Sequence, residues 1–136
     1  LSADLRRAGI RADCLHGDIK QATREKTMAD FRHGKLPVLI ATDVASRGID
    51  VDDVDGVINY DVPEENEYYI HRIGRTGRAR KKGISFTLLG SFPEKAKLDE
   101  IAKFAGFHIV PMIFDEYGCL VPAPAEEKHP TSRRRF

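Results

Sequence analysis

The chain has 136 residues, 41% hydrophobic and 32% charged, with 22 Lys+Arg against 21 Asp+Glu. That is the size and composition of one globular domain able to bury a core, and the near-neutral balance makes any cationic cluster a local arrangement. No apolar run approaches a membrane span, and the opening LSADLRRAGI has no signal-peptide apolar region, so a soluble, intracellular, cytoplasmic protein without membrane association is expected. Cys14 and Cys119 lack CxxC spacing and a His cluster, which reads as small apolar residues and no metal site or disulfide.

In chain order, residues 1–8 read as the last turns of a helix closed by Gly9, and Ala12 to Leu15 as a short strand running into HGD. Lys20 to Arg32 carries Arg24, Met28 and Phe31 at i, i+4, i+7 with Gly34 just beyond, the pattern of a helix and its stop. LPVLIAT, residues 36–42, is an unbroken aliphatic run, as in a strand covered on both faces, and GVINY at 56–60 is a second. ENEYYIHRI suits a helix, GISFTLL at 83–89 a further strand. Ser91, Pro93 and Glu94 then open a helix whose core face is Leu98, Ile101, Ala102 and Ala105, with Gly106 ending it. Alternating strands and helices predict an α/β fold, a parallel sheet flanked by helices on both faces. Residues 1–118 are read as the domain; 119–136, proline-punctuated and charged, as a tail or linker.

Ligands of open α/β sheets sit beyond the carboxyl ends of strands, which picks out HGDIKQATR, ATDVASRGID and the arginine cluster before the last strand, all expected on one rim. In YYIHRIGRTGRARKKG, residues 68–83, Arg72, Arg75 and Arg78 stacked on one helix face would repel, and Gly74 and Gly77 would each cost a helix about 1 kcal/mol. An anion facing the cluster reverses the repulsion, and glycine admits close backbone approach. The alternative is a solvated basic face with structural glycines. In ATDVASRGID, Thr42, Asp43, Arg47, Gly48 and Asp50 suit a phosphodiester or a sugar hydroxyl pair, or form an ordinary loop. Gln21 and Arg24 stand together where a helix start attracts phosphate, although helix starts are commonly polar in any case.

HGDIKQATR, ATDVASRGID and HRIGRTGR, in this order and spacing, closely resemble the motifs of the second RecA-like lobe of DEAD-box ATP-dependent RNA helicases, densely over residues 1–89. The resemblance implies that Arg75 and Arg78 are arginine fingers toward the γ-phosphate of ATP held, with Mg²⁺, by an N-terminal lobe. Asp50, His71, Arg72 and Gly48 would lie at the nucleotide and lobe interface. Gly17, Gln21, Arg24, Thr42, Asp43, Arg47 and Gly48 would hold the backbone of single-stranded RNA, with little sequence specificity and strong salt dependence. Ser46 stands where many members have alanine. The family places a further strand upstream of a helix like the first one, so a gap or open edge in the sheet and self-association of a fragment are expected.

The chain has no GxxxxGK[ST] loop, so alone it is expected to be inactive, its arginines serving a nucleotide bound elsewhere. MIFDEYG at 112–118 imitates a metal-binding strand end, but Pro111 interrupts it, and a strand end and turn is the better account. GRTG, residues 74–77, also fits the GxxG loop of non-enzymatic KH RNA-binding modules, and a degenerate lobe kept as a scaffold is a third reading. The basic end SRRRF either extends RNA contact or is solvated.

Overall fold

The computed structural model describes residues 1–46, 51–78 and 80–125. The first half runs α1 (Ser2–Arg7), β1 (Ala12–Leu15), α2 (Gln21–Arg32), β2 (Val38–Ala41) and a single-turn α3 (Asp43–Ser46). The second runs β3 (Gly56–Asn59), α4 (Asn66–Ile73), β4 (Ile84–Thr87) and α5 (Phe92–Ala105), and a hairpin of β5 (Met112–Phe114) and β6 (Leu120–Pro122) follows. Each predicted helix and strand through α5 is present within a few residues, because apolar runs and glycine stops mark them. Gly9, Gly34 and Gly106 stand just past α1, α2 and α5 at positive φ, the left-handed conformation that closes a helix cheaply only with glycine. At the start of α5 the Ser91 hydroxyl accepts from the Glu94 N–H at 3.4 Å while the Glu94 carboxylate accepts from the Gly90 N–H at 2.8 Å.

β1 pairs with β2 and β3 with β4, both in parallel, as the α/β alternation predicts. The sheet expected in one piece is in two, however, with no ladder between β2 and β3 among the described residues. Each piece has its own core: Leu15, Met28, Ala45 and Val51 in the first, Tyr69, Leu98 and Ile101 in the second. Fully burying side chains of this size contributes about 1.5–3 kcal/mol each, so each piece has a modest cluster under it. Ala105, expected on the core face of α5, is exposed at its end. The helical cover anticipated on both faces is likewise partial, since the cross-strand pair Ile58 and Phe86 is 69% and 43% exposed.

Strand β6 lies inside the segment read as a tail. It pairs antiparallel with β5, Met112 opposite Pro122, so regular structure extends past the expected boundary. The turn is made by Asp115, whose carboxylate accepts from the N–H groups of Tyr117 and Cys119 at 2.9 and 2.8 Å. Asp115 is thus a turn residue, as its rejection as a metal ligand requires. Exposed three-residue strands leave no alternation for a sequence reading to find.

Candidate functional site

The arginine cluster divides. α4 leads from the carboxyl end of β3 to the amino end of β4, so residues following it are carried to the opposite end of these strands from the loops after β1 and β2. Thr76 forms an isolated parallel bridge with Val54, just before the β3–β4 ladder begins at Gly56 and Ile84. Arg75 and Arg78 therefore stand at the amino end of β3 and β4, and the expectation that all three motifs share one rim is corrected. A crossover helix must end where the next parallel strand starts.

Arg72 reaches the carboxyl ends. Its Nε and Nη2 donate to the two carboxylate oxygens of Asp43, both at 2.7 Å, and its Nη1 donates to the Asp61 carbonyl and carboxylate at 2.9 and 3.0 Å. Asp43 begins α3 just past β2, and Asp61 lies two residues past β3, so this guanidinium ties together the pieces between which the ladder is broken. The Asp43 hydrogen bonds, against a smaller opposing effect of burial, raise the Arg72 pKa further above its ordinary value, and the side chain is 20% exposed. Sequence reasoning placed Arg72 at a lobe interface and Asp43 on RNA; the structure joins them to each other. A carboxylate held in that fork is spent on the fold, and it would repel a phosphodiester. Asp61 was missed, though its position after β3 satisfies the same strand-end rule that selected the other motifs.

Arg75 and Arg78 share one acid: Asp52 accepts from Arg78 Nη1 at 2.6 Å and from Arg75 Nη1 at 3.5 Å. Their side chains are nevertheless 35% and 52% exposed, which leaves solvent, or a ligand, an open approach. Beside them Lys81 donates to Asp53 at 2.7 Å, a contact that raises the lysine pKa. The GRTG loop is stitched to its own chain. The Thr76 hydroxyl donates to the Val54 carbonyl at 2.6 Å, and a Cβ added at Gly83 would lie 2.5 Å from the Gly77 nitrogen. A loop closed in this way is poorly placed to clamp nucleic acid as GxxG loops do.

At the other end, Gln21 opens α2 and donates to Glu25 at 3.1 Å, while Arg24, one turn on, donates from Nη2 to the Ala45 carbonyl at 2.9 Å. That contact brings Arg24 of α2 to Ala45 of α3, whose N–H is held by Thr42, with Gln21 one turn before Arg24 on the same helix. The exposed Thr42 uses its hydroxyl oxygen to accept from the Ala45 N–H at 3.2 Å, and its proton stays available to a donor-seeking anion. Gly17 is exposed in the turn before α2, with open space around the position of a Cβ. His71 is exposed on α4. Arg47, Gly48 and Asp50 lie outside the described residues. Among the described residues no group of three or more His, Cys, Asp or Glu is arranged to hold a metal ion.

Residues 2–80, more than half of the chain, match the family described as "Helicase conserved C-terminal domain". The probable ATP-dependent RNA helicase DDX17 of Mus musculus is 46% identical over 115 residues, which are 83% of this chain and 18% of that protein. The ATP-dependent RNA helicase FAL1 of Vanderwaltozyma polyspora is 48% identical over 115 residues, 85% of this chain and 29% of that one. The chain thus spans less than a third of these relatives. Among solved structures, the C-terminal domain of the DEAD-box protein Dbp5 superposes with a TM-score of 0.72 at 38% identity, covering 76% of this chain and 61% of that one. A DEAD box protein from Methanococcus jannaschii does so with a TM-score of 0.71 at 46% identity, covering 79% and 29%. With Arg75 and Arg78 open at one strand end and Gln21, Arg24 and Thr42 at the other, the chain belongs to the helicase conserved C-terminal domain family, as a RecA-like C-terminal lobe of the DEAD-box type.

Proposed function

We propose that the chain is the second lobe of an ATP-dependent RNA helicase, completing an ATP site on an N-terminal RecA-like lobe and gripping the backbone of single-stranded RNA. One observation carries this: two arginines of the family motif, Arg75 half-buried and Arg78 exposed, reach the surface in a chain without a phosphate loop of its own. A related structure, Dbp5 of S. cerevisiae bound to RNA and ADP BeF3, is 38% identical with a TM-score of 0.70, and it supports bringing both ligand classes to this chain.

Guanidiniums that donate to a shared carboxylate fit terminal phosphate oxygens better than a metal ion; Mg²⁺ belongs with the partner lobe. ATP bound there supplies a phosphoryl group whose transfer spreads negative charge over its oxygens. Arg75 and Arg78 donate hydrogen bonds to that charge as the lobes close. Gln21, Arg24, Thr42 and Arg47 hold RNA phosphates, so RNA affinity falls with salt and varies little with sequence. His71, exposed on α4, faces the approaching lobe. Because closure needs both ligands, each strengthens the other's binding. The same reading places the protein in the cytoplasm, which microscopy of a tagged form checks.

The experiment is Arg75→Ala and Arg78→Ala in the two-lobe protein, assayed for RNA-stimulated ATP turnover. Arginine fingers contribute about 10³ to 10⁵ in rate, so each variant loses on the order of 10³ or more. A loss below about threefold returns both arginines to surface charge.

A further inference from the structure

The acids beneath the fingers come from a segment that no motif predicted, Asp52 and Asp53. We propose that Asp52 is the positioning residue of the two arginines. Its carboxylate holds them in the open lobe at the place a terminal phosphate takes on closure, so that firing requires exchange of one anion for another. This rests on the finger role proposed above.

The geometry is a built clasp. Asp52 presents one oxygen to each arginine, Oδ2 to Arg78 at 2.6 Å and Oδ1 to Arg75 at 3.5 Å, an arrangement that a phosphoryl group's oxygens can reproduce. Backbone fixes the carboxylate below them: the Val54 N–H donates to the Arg75 carbonyl at 3.1 Å, and Thr76 reaches the Val54 and Asp55 carbonyls at 2.6 and 3.3 Å. Asp53 and Arg80 both adopt left-handed φ, 65° and 68°, although neither is glycine. Strain of that kind persists only where surroundings over-determine it, and here Lys81 pins Asp53 at 2.7 Å.

The contact of Arg78 with Asp52 is half open to water, so it is weak enough to be displaced by a more highly charged phosphate. Arg78 Nε donates at the same time to the Gly74 carbonyl at 2.8 Å, so the finger is held at its stem and can exchange its tip. Arg75 has a further interaction besides Asp52, which makes Arg78 the cleaner reporter.

The test is steady-state ATPase kinetics of the RNA-bound two-lobe protein with Asp52→Asn, which removes the charge and keeps the shape. An exposed pair contributes up to about fivefold in an equilibrium, so the KM for ATP is expected to fall about two- to fivefold with no loss of kcat, the gain shrinking at high salt. Asp52→Glu, which keeps the carboxylate, restores the higher KM. An unchanged or raised KM, or a fall in kcat, overturns the proposal. Should Asp52→Asn lower the melting temperature, Asp52→Ser gives a second charge-free variant to be judged by the same KM. Arg78→Ala is run alongside: full turnover in that variant sinks the finger reading itself. Lost turnover there with an unmoved KM in Asp52→Asn sinks only the clasp.

Discussion

Arg72 and Arg78 come from the same eight-residue motif and do opposite work. Arg72 has 20% of its side chain exposed and forks both oxygens of Asp43 while reaching Asp61 with another nitrogen. Arg78 is 52% exposed and shares a single acid with Arg75. The first is a rivet across the break between β2 and β3; the second is a cation with an open approach. Residue type and spacing are the same for both, and the number of acids within reach, together with burial, separates fold from function.

Truncation should exaggerate the difference. Breaking a buried ion pair by removing one partner costs about 3–5 kcal/mol, and this pair is partly exposed, so Arg72→Ala is expected to destabilise the protein by about 2–4 kcal/mol in urea unfolding. Arg72→Lys keeps the charge and loses the fork, and about 1–2 kcal/mol is expected from the lost charge-assisted bonds. Arg78→Ala removes an exposed pair and should cost about 1 kcal/mol or less while abolishing most turnover. Equal unfolding midpoints for Arg72→Ala and Arg78→Ala would break the distinction. Asp43→Asn sharpens it from the other side, since it should destabilise like Arg72→Lys and leave the salt dependence of RNA affinity unaltered if Asp43 makes no RNA contact.

The alternation of elements was legible because β2 is an aliphatic run, β1, β3 and β4 are short segments with apolar residues, and Gly9, Gly34 and Gly106 stop helices where the backbone must turn left-handed. The single turn α3 was not, since four residues carry no period, and β6 was hidden by its brevity and by Pro122 at its end. The three motifs named the cations of the site, and of the acids that hold them only Asp43. Asp43 read as an RNA ligand, and Asp52 and Asp61 were passed over, because which carboxylate a guanidinium reaches depends on where a helix crosses a sheet and not on sequence spacing. The single rim failed for the same reason: a motif straddling the end of a crossover helix belongs to both ends of the strands. The break in the sheet makes Arg72 more than a local contact, because it joins pieces that share no ladder.

The weakest link tests the exposed end of the same scale. On α5, Lys97 donates to Glu100 at 3.0 Å and to the Asn66 side-chain amide oxygen Oδ1 at 3.0 Å, where α4 begins. The Lys97 hydrogen bond holds the Glu100 pKa below its ordinary value of 4.5. A depressed folded-state pKa means that the contribution is present above pH 4.5 and is lost as pH falls through the lower folded value. Melting temperature followed downward from pH 6 should therefore fall slightly more steeply in the native protein than in Glu100→Gln, with the two curves converging in acid. Every other titrating group is common to the two proteins, so only the difference between them reports Glu100. Parallel curves would mean that Lys97 is held by Asn66 alone, and that an ion pair this exposed contributes nothing to the docking of α5 on α4.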